Sequence, residues 1–165
     1  MTNERQFTLT WTLDAPPADV FRAWTDPAHL DWFYNDAQPK PAEPIELDLR
    51  VGGVWRQQMV IDDTTSYPTG GVYREIVPGE RLVFAWGAEG GWPALDPRQL
   101  DQSPQVTVTF DQTGAQTTLT LHVHIPASYP DDGVPQWWEY APNGWRDTVG
   151  RLVAELRYLP TENAH

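Results

Sequence analysis

FTLTWTLDAPPADVFRAWTDPAHLDWF, residues 7–33, decides how the rest of the chain is read. Its first seven residues alternate, placing Phe7, Leu9, Trp11 and Leu13 on one face and threonines on the other, the period-two signature of a half-buried strand. Prolines suited to a helix's first turn follow, with Val20, Phe21 and Trp24 at helical spacing, which predicts a short helix over Pro17 to Thr25. Asp26-Pro27 then reads as an N-cap and a first helical proline, so a second short helix is expected from Ala28 to Phe33. One strand and two small helices thus open the chain.

Downstream, IELDLRVGGVWRQQMVI, GGVYREIV and ERLVFAW are apolar runs bounded by glycine, proline or polar clusters, and they read as consecutive antiparallel strands. Trp55, Gln57, Met59 and Ile61 share one face, as do Leu82, Phe84 and Trp86. QVTVTFDQ and QTTLTLHVHI alternate strictly about a turn at Thr113-Gly114, as a hairpin should. A sheet of six or seven strands follows. The Gly52-Gly53 and Pro78-Gly79 pairs read as bends between strands. The last element starts at Asn143, a suitable N-cap, and places Trp145, Val149, Leu152, Val153, Leu156 and Leu159 on one stripe before Pro160 stops it. With no internal repeat or linker, residues 1–165 read as one α+β domain.

Composition narrows the function. The chain has no cysteine, so disulfides, thiolate metal sites and a cysteine nucleophile are excluded. Its 23 acidic and 11 basic side chains give a formal charge of −12, which repels nucleic acid and anionic lipid headgroups. No leader pattern and no apolar run of about 18 residues is present, so a cytoplasmic protein without membrane insertion is expected. Nine tryptophans are unusual: each carries a large apolar surface and an N–H that requires a partner when buried. An aromatic core or an aromatic pocket is implied.

The order of elements is that of the helix-grip fold, a curved antiparallel sheet with two short helices and a long C-terminal helix over a cavity. DAPPADVFRAWTDPAHLDWF, LDLRVGGVWR, GGVYREIVPGERLVFAW, VTVTFDQTGAQTTLTL and GWRDTVGRLVAEL resemble the START-like, birch-pollen-allergen-like (SRPBCC) superfamily, in the branch named after the activator of the heat-shock-protein-90 ATPase. The resemblance runs from about Phe7 to Leu159. It implies a cavity that binds a small hydrophobic or aromatic molecule, lipids included, and often a homodimer. It also implies two other readings: a cavity-based hydrolase or cyclase, or a co-chaperone acting in the stress response.

The wall candidates are Trp55, Met59, Tyr73, Leu82, Phe84, Trp86, Phe110 and Leu121 from the strands, and Trp145, Val149 and Leu152 from the terminal helix. Each can equally be ordinary core. Glu75 falls two residues after Tyr73, hence on the same strand face; an inward carboxylate there would need a ligand, an arginine or Gln57 as partner. His122 and His124 share a strand face with Thr118 and Thr120 and have no evident third ligand, so they read as solvent-facing and not as a metal site. No nucleophile elbow, phosphate loop or cofactor motif is present, so no catalytic residue, metal or cofactor is assigned. Only Glu75 with Tyr73 offers an inward acid–base pair. The long segments 87–104 and 126–142, carrying Trp92, Trp137, Trp138 and Tyr140, are expected to flank the cavity mouth as lids or to form a partner surface.

Overall fold

A computed structural model of the protein describes residues 5–26, 29–33, 45–62, 64–91, 95–126 and 141–158. Strand β1 (Arg5–Leu13) leads into helix α1 (Pro17–Thr25) and a 3-10 turn (Asp31–Phe33). Strands β2 (Glu46–Leu47), β3 (Val54–Asp62), β4 (Thr65–Val77), β5 (Arg81–Trp86), β6 (Gln105–Thr113) and β7 (Gln116–Ile125) follow, with a 3-10 turn at Leu100–Gln102, and helix α2 (Ala141–Tyr158) is last. The seven strands form one antiparallel sheet in the order β1-β7-β6-β5-β4-β3-β2. This is the helix-grip α+β fold.

The period-two pattern fixes which side of the sheet is core. Leu9 lies opposite Leu121 and Trp11 opposite Leu119, while Val106, Val108 and Phe110 continue the same buried face on β6. Helix α1 begins with Pro17 after an extended Pro16, where no intrahelical N–H is lost, and buries Val20, Phe21, Ala23 and Trp24. Helix α2 buries Trp145, Val149, Leu152 and Leu156, spaced by four, three and four residues, and packs on β1 and on the first 3-10 turn. Arg151 secures that junction, its Nε donating to the Trp32 carbonyl at 2.9 Å and its Nη2 to the Phe33 carbonyl at 3.2 Å.

Two glycines are required by close packing. Gly70 has φ +149°, and a Cβ there would lie 1.8 Å from the Trp55 carbonyl oxygen. A Cβ on Gly71 would lie 2.7 Å from the Phe84 ring, so the missing side chain is what lets that ring cover β4.

Several boundaries differ from expectation. Helix α2 starts at Ala141, so Asn143 lies inside it and its Oδ1 accepts from Arg146 Nη1 at 2.9 Å instead of capping. Pro142 is accommodated because the first turn needs no N–H there. The Ala28–Phe33 stretch is 3-10 in character in its described part, at His29 and over the turn Asp31–Phe33. The β6–β7 turn falls at Gly114-Ala115, with Gly114 at φ +65°.

Candidate functional site

Eight rings form one connected aromatic network between the sheet and α2. Trp145 is its hub, meeting Trp24 at 6.4 Å in a stacked geometry, Phe33 at 5.9 Å and Trp86 at 5.2 Å, both edge-on. Trp32 links Trp24 at 4.9 Å to Phe33 at 5.5 Å. Phe33 in turn meets Trp55 at 5.0 Å, and Phe84 joins Trp55 at 5.4 Å to Tyr73 at 6.4 Å. Most of these contacts are edge-to-face, the arrangement that the ring quadrupole favours.

The structure brings the expected wall residues together. Trp55, Tyr73, Leu82, Phe84, Trp86, Phe110, Leu121, Trp145, Val149 and Leu152 all belong to one buried cluster, with Met59 partly buried against it. Tyr73 is fixed through its backbone: its N–H donates to the Gly53 carbonyl at 3.0 Å and its carbonyl accepts from Gly52 N–H at 2.8 Å. The glycine pair therefore does more than turn the chain. Trp24, Trp32 and Phe33 complete the network, although the wall expected from the sequence came from strands and the terminal helix alone. The signal was the helical spacing that put Trp24 on the buried face of α1.

Polar atoms inside this cluster are few, and four of them lack partners among the described residues. They are Trp24 Nε1, Gln57 Nε2, Tyr73 Oη and Trp145 Nε1, on side chains 1%, 2%, 1% and 4% exposed. By contrast, Trp32 Nε1 donates to the Ala23 carbonyl at 2.9 Å and Trp55 Nε1 to Gln57 Oε1 at 2.8 Å. An unmade hydrogen bond at a buried donor costs about 1–3 kcal/mol. Four such groups weigh heavily against a typical stability of about 5–15 kcal/mol. Burial also pushes the Tyr73 phenol well above the ordinary tyrosine range, so its hydroxyl keeps its proton.

Glu75 is a correction. The β4–β5 register slips between Tyr73 and Glu75: Tyr73 faces Phe84 and Glu75 faces Val83, leaving Arg74 as the extra residue of a bulge. Beyond it the inward alternation passes to Ile76, which packs on the core, and Glu75 turns outward. There its carboxylate accepts from Arg81 Nε at 3.0 Å and Nη2 at 2.8 Å, and that hydrogen-bonded guanidinium holds its pKa below the usual range. Nor does Gln57 pair with Glu75: its Nε2, the group that would donate to a carboxylate, has no partner among the described residues. The inward acid–base pair of Glu75 and Tyr73 is thereby removed.

His122 is half-buried, with Nδ1 2.8 Å from Thr8 Oγ1 on the neighbouring strand, and His124 is half-buried as well. No cluster of three or more His, Asp or Glu side chains able to hold a metal occurs among the described residues. In segment 87–104, Leu95 and Leu100 pack with Val72 and Ala85, which alternate with Tyr73 and Phe84 along their strands, so this part covers the outer face of the sheet. Trp92, Trp137, Trp138, Tyr140 and Leu159 lie outside the described residues. Among the described residues no helix is long and apolar enough to cross a membrane.

Comparison with known proteins agrees with this architecture. The crystal structure of Mll3558 from Rhizobium loti is similar, with a TM-score of 0.68 and 23% identity, covering 94% of this chain and 99% of that one. Protein NE0264 from Nitrosomonas europaea gives a TM-score of 0.69 and 21% identity over 97% of each chain. CV1439 from Chromobacterium violaceum gives 0.64 and 25% identity over 92% of this chain and 96% of its own. No curated protein matches the chain by sequence. The family model described as Activator of Hsp90 ATPase homolog 1-like protein matches residues 14–157, from the end of β1 nearly to the end of α2, and the chain belongs to that family within the START-like (SRPBCC) superfamily.

Proposed function

We propose that the protein binds or carries a small hydrophobic, aromatic molecule between the inner face of the sheet and α2. The observation that carries this reading is the coincidence of an eight-ring network with four buried polar atoms that lack partners. A core selected for stability alone would use phenylalanine and leucine at those positions. The fold supports the reading, since its members often bind hydrophobic ligands. The ligand-contacting residues are Trp55, Met59, Tyr73, Phe84, Trp86, Phe110, Leu121, Trp145, Val149 and Leu152, joined by Trp24 and Gln57. Catalysis is disfavoured by the outward turn of Glu75 and by the raised pKa of Tyr73, which leave no general base inside the network among the described residues.

The test is thermal unfolding of the purified protein against lipids, sterols, polycyclic aromatics and aromatic acids. A ligand at 100 times its Kd adds about 2.7 kcal/mol of stability when it binds only the folded state. A clear rise in Tm with one apolar class is expected. A flat response across the panel would move the function to a protein partner, and saturable association with a chaperone would establish the co-chaperone reading instead.

A further inference from the structure

The four unpartnered atoms have one property in common. An indole Nε1 can only donate, the amide Nε2 of Gln57 likewise only donates while its Oε1 accepts from Trp55, and the Tyr73 hydroxyl keeps its proton and so has one to donate. An interior lined in this way offers hydrogens and asks for lone pairs. Among the described residues it also offers no buried charge: the buried polar side chains there are Thr25, Gln57, Thr69, Ser103 and Thr117, all neutral. Arg151, half-buried beside the network, commits its Nε and Nη2 to the carbonyls of Trp32 and Phe33. The donors come from four different elements, α1 (Trp24), β3 (Gln57), β4 (Tyr73) and α2 (Trp145).

We infer that the ligand is a neutral aromatic molecule carrying hydrogen-bond acceptors on more than one edge, of the aryl ketone or quinone class, and that Trp24, Gln57, Tyr73 and Trp145 select it by donation. This deepens the binding reading above and rests on it. An anion is disfavoured twice, by the lack of a fully buried cation among the described residues and by the chain's formal charge of −12. A pure hydrocarbon fills the same space but leaves the donors unmade.

The experiment uses matched probes on the full chain: fluorene, 9-fluorenone and 9-fluorenone-2-carboxylate, with diphenylmethane and benzophenone as a second hydrocarbon–ketone pair. Calorimetry gives affinities, and protein labelled with ¹⁵N at the indole nitrogens reports on Trp24 and Trp145, assigned by Trp24→Phe and Trp145→Phe. Burial alone favours the hydrocarbon, because the ketone oxygen must be desolvated. The expected result is that each ketone binds about ten-fold or more tightly than its hydrocarbon. The carboxylate should bind more weakly than fluorenone, and the two indole N–H signals should shift with ketone only. Tyr73→Phe should shrink the ketone preference severalfold. Equal binding of hydrocarbon and ketone with unmoved indole signals overturns the acceptor inference and leaves the binding reading standing. Tighter binding of the carboxylate overturns the neutrality of the ligand. No binding by any of the five probes overturns the binding reading and this inference together.

Discussion

At the scale of single residues, the unusual choice is to bury donors and leave them unserved. Tyr73→Phe deletes one such group without changing the ring that packs on Phe84. The ligand-free variant is expected to be at least as stable as the parent, gaining up to about 1 kcal/mol by thermal unfolding, whereas a tyrosine whose hydroxyl is bonded would lose stability on the same change. Glu75→Gln tests the outward placement of that carboxylate. Arg81 lowers its pKa in the folded state, so the stabilisation is complete above the unfolded pKa and fades as pH falls through the folded value. The variant should therefore melt below the parent at pH 7, and the two curves should converge at acid pH below the ordinary carboxylate range. Binding of 9-fluorenone should not change in this variant. Trp55, Phe84, Trp86 and Trp145 were legible because strand and helix periodicity alone sends them inward. Glu75 was not, because the bulge hangs on Arg74, a residue with no special backbone preference, and a one-residue slip reverses every later assignment on that strand.

At the scale of elements, the junction of α2 with the 3-10 turn holds the network closed. Arg151 carries it by bridging two carbonyls, which a lysine's single ammonium point charge would match poorly. Arg151→Ala should cost about 1–3 kcal/mol in denaturant unfolding, since two backbone acceptors lose their donor, and Arg151→Lys should restore only part of it. A loss within about 0.3 kcal/mol would show that the helix is held by its apolar stripe alone. The sequence pattern found α1 to the residue, because two prolines and an apolar triplet mark it on both sides of its first turn. The start of α2 was displaced by two residues, since Asn143 and Pro142 both carry N-terminal signals and only the structure shows that the proline prevails. The Arg151 bridge has no sequence signature at all: its acceptors lie 118 and 119 positions away and are backbone atoms.

At the scale of the whole molecule, the topology could be read from element order, because each of β2 to β7 pairs with its neighbour in sequence. The inward polarity of the site could not be read so far ahead, since it depends on which donors find partners, and that is settled by three-dimensional packing. One strand breaks the sequential rule: β1 pairs with β7, Leu13 meeting Thr117 and Arg5 meeting Ile125. During synthesis β1 is therefore made first and completed last. At about 5–20 residues per second, roughly 5 to 20 s separate the emergence of Leu13 from that of its partner. Throughout that interval Phe7, Leu9, Trp11 and Leu13 lack the β7 partner they lie beside in the fold, so the nascent chain carries a greasy, unpaired ribbon, and the ribosome-bound stage is when this strand most needs shielding from its neighbours.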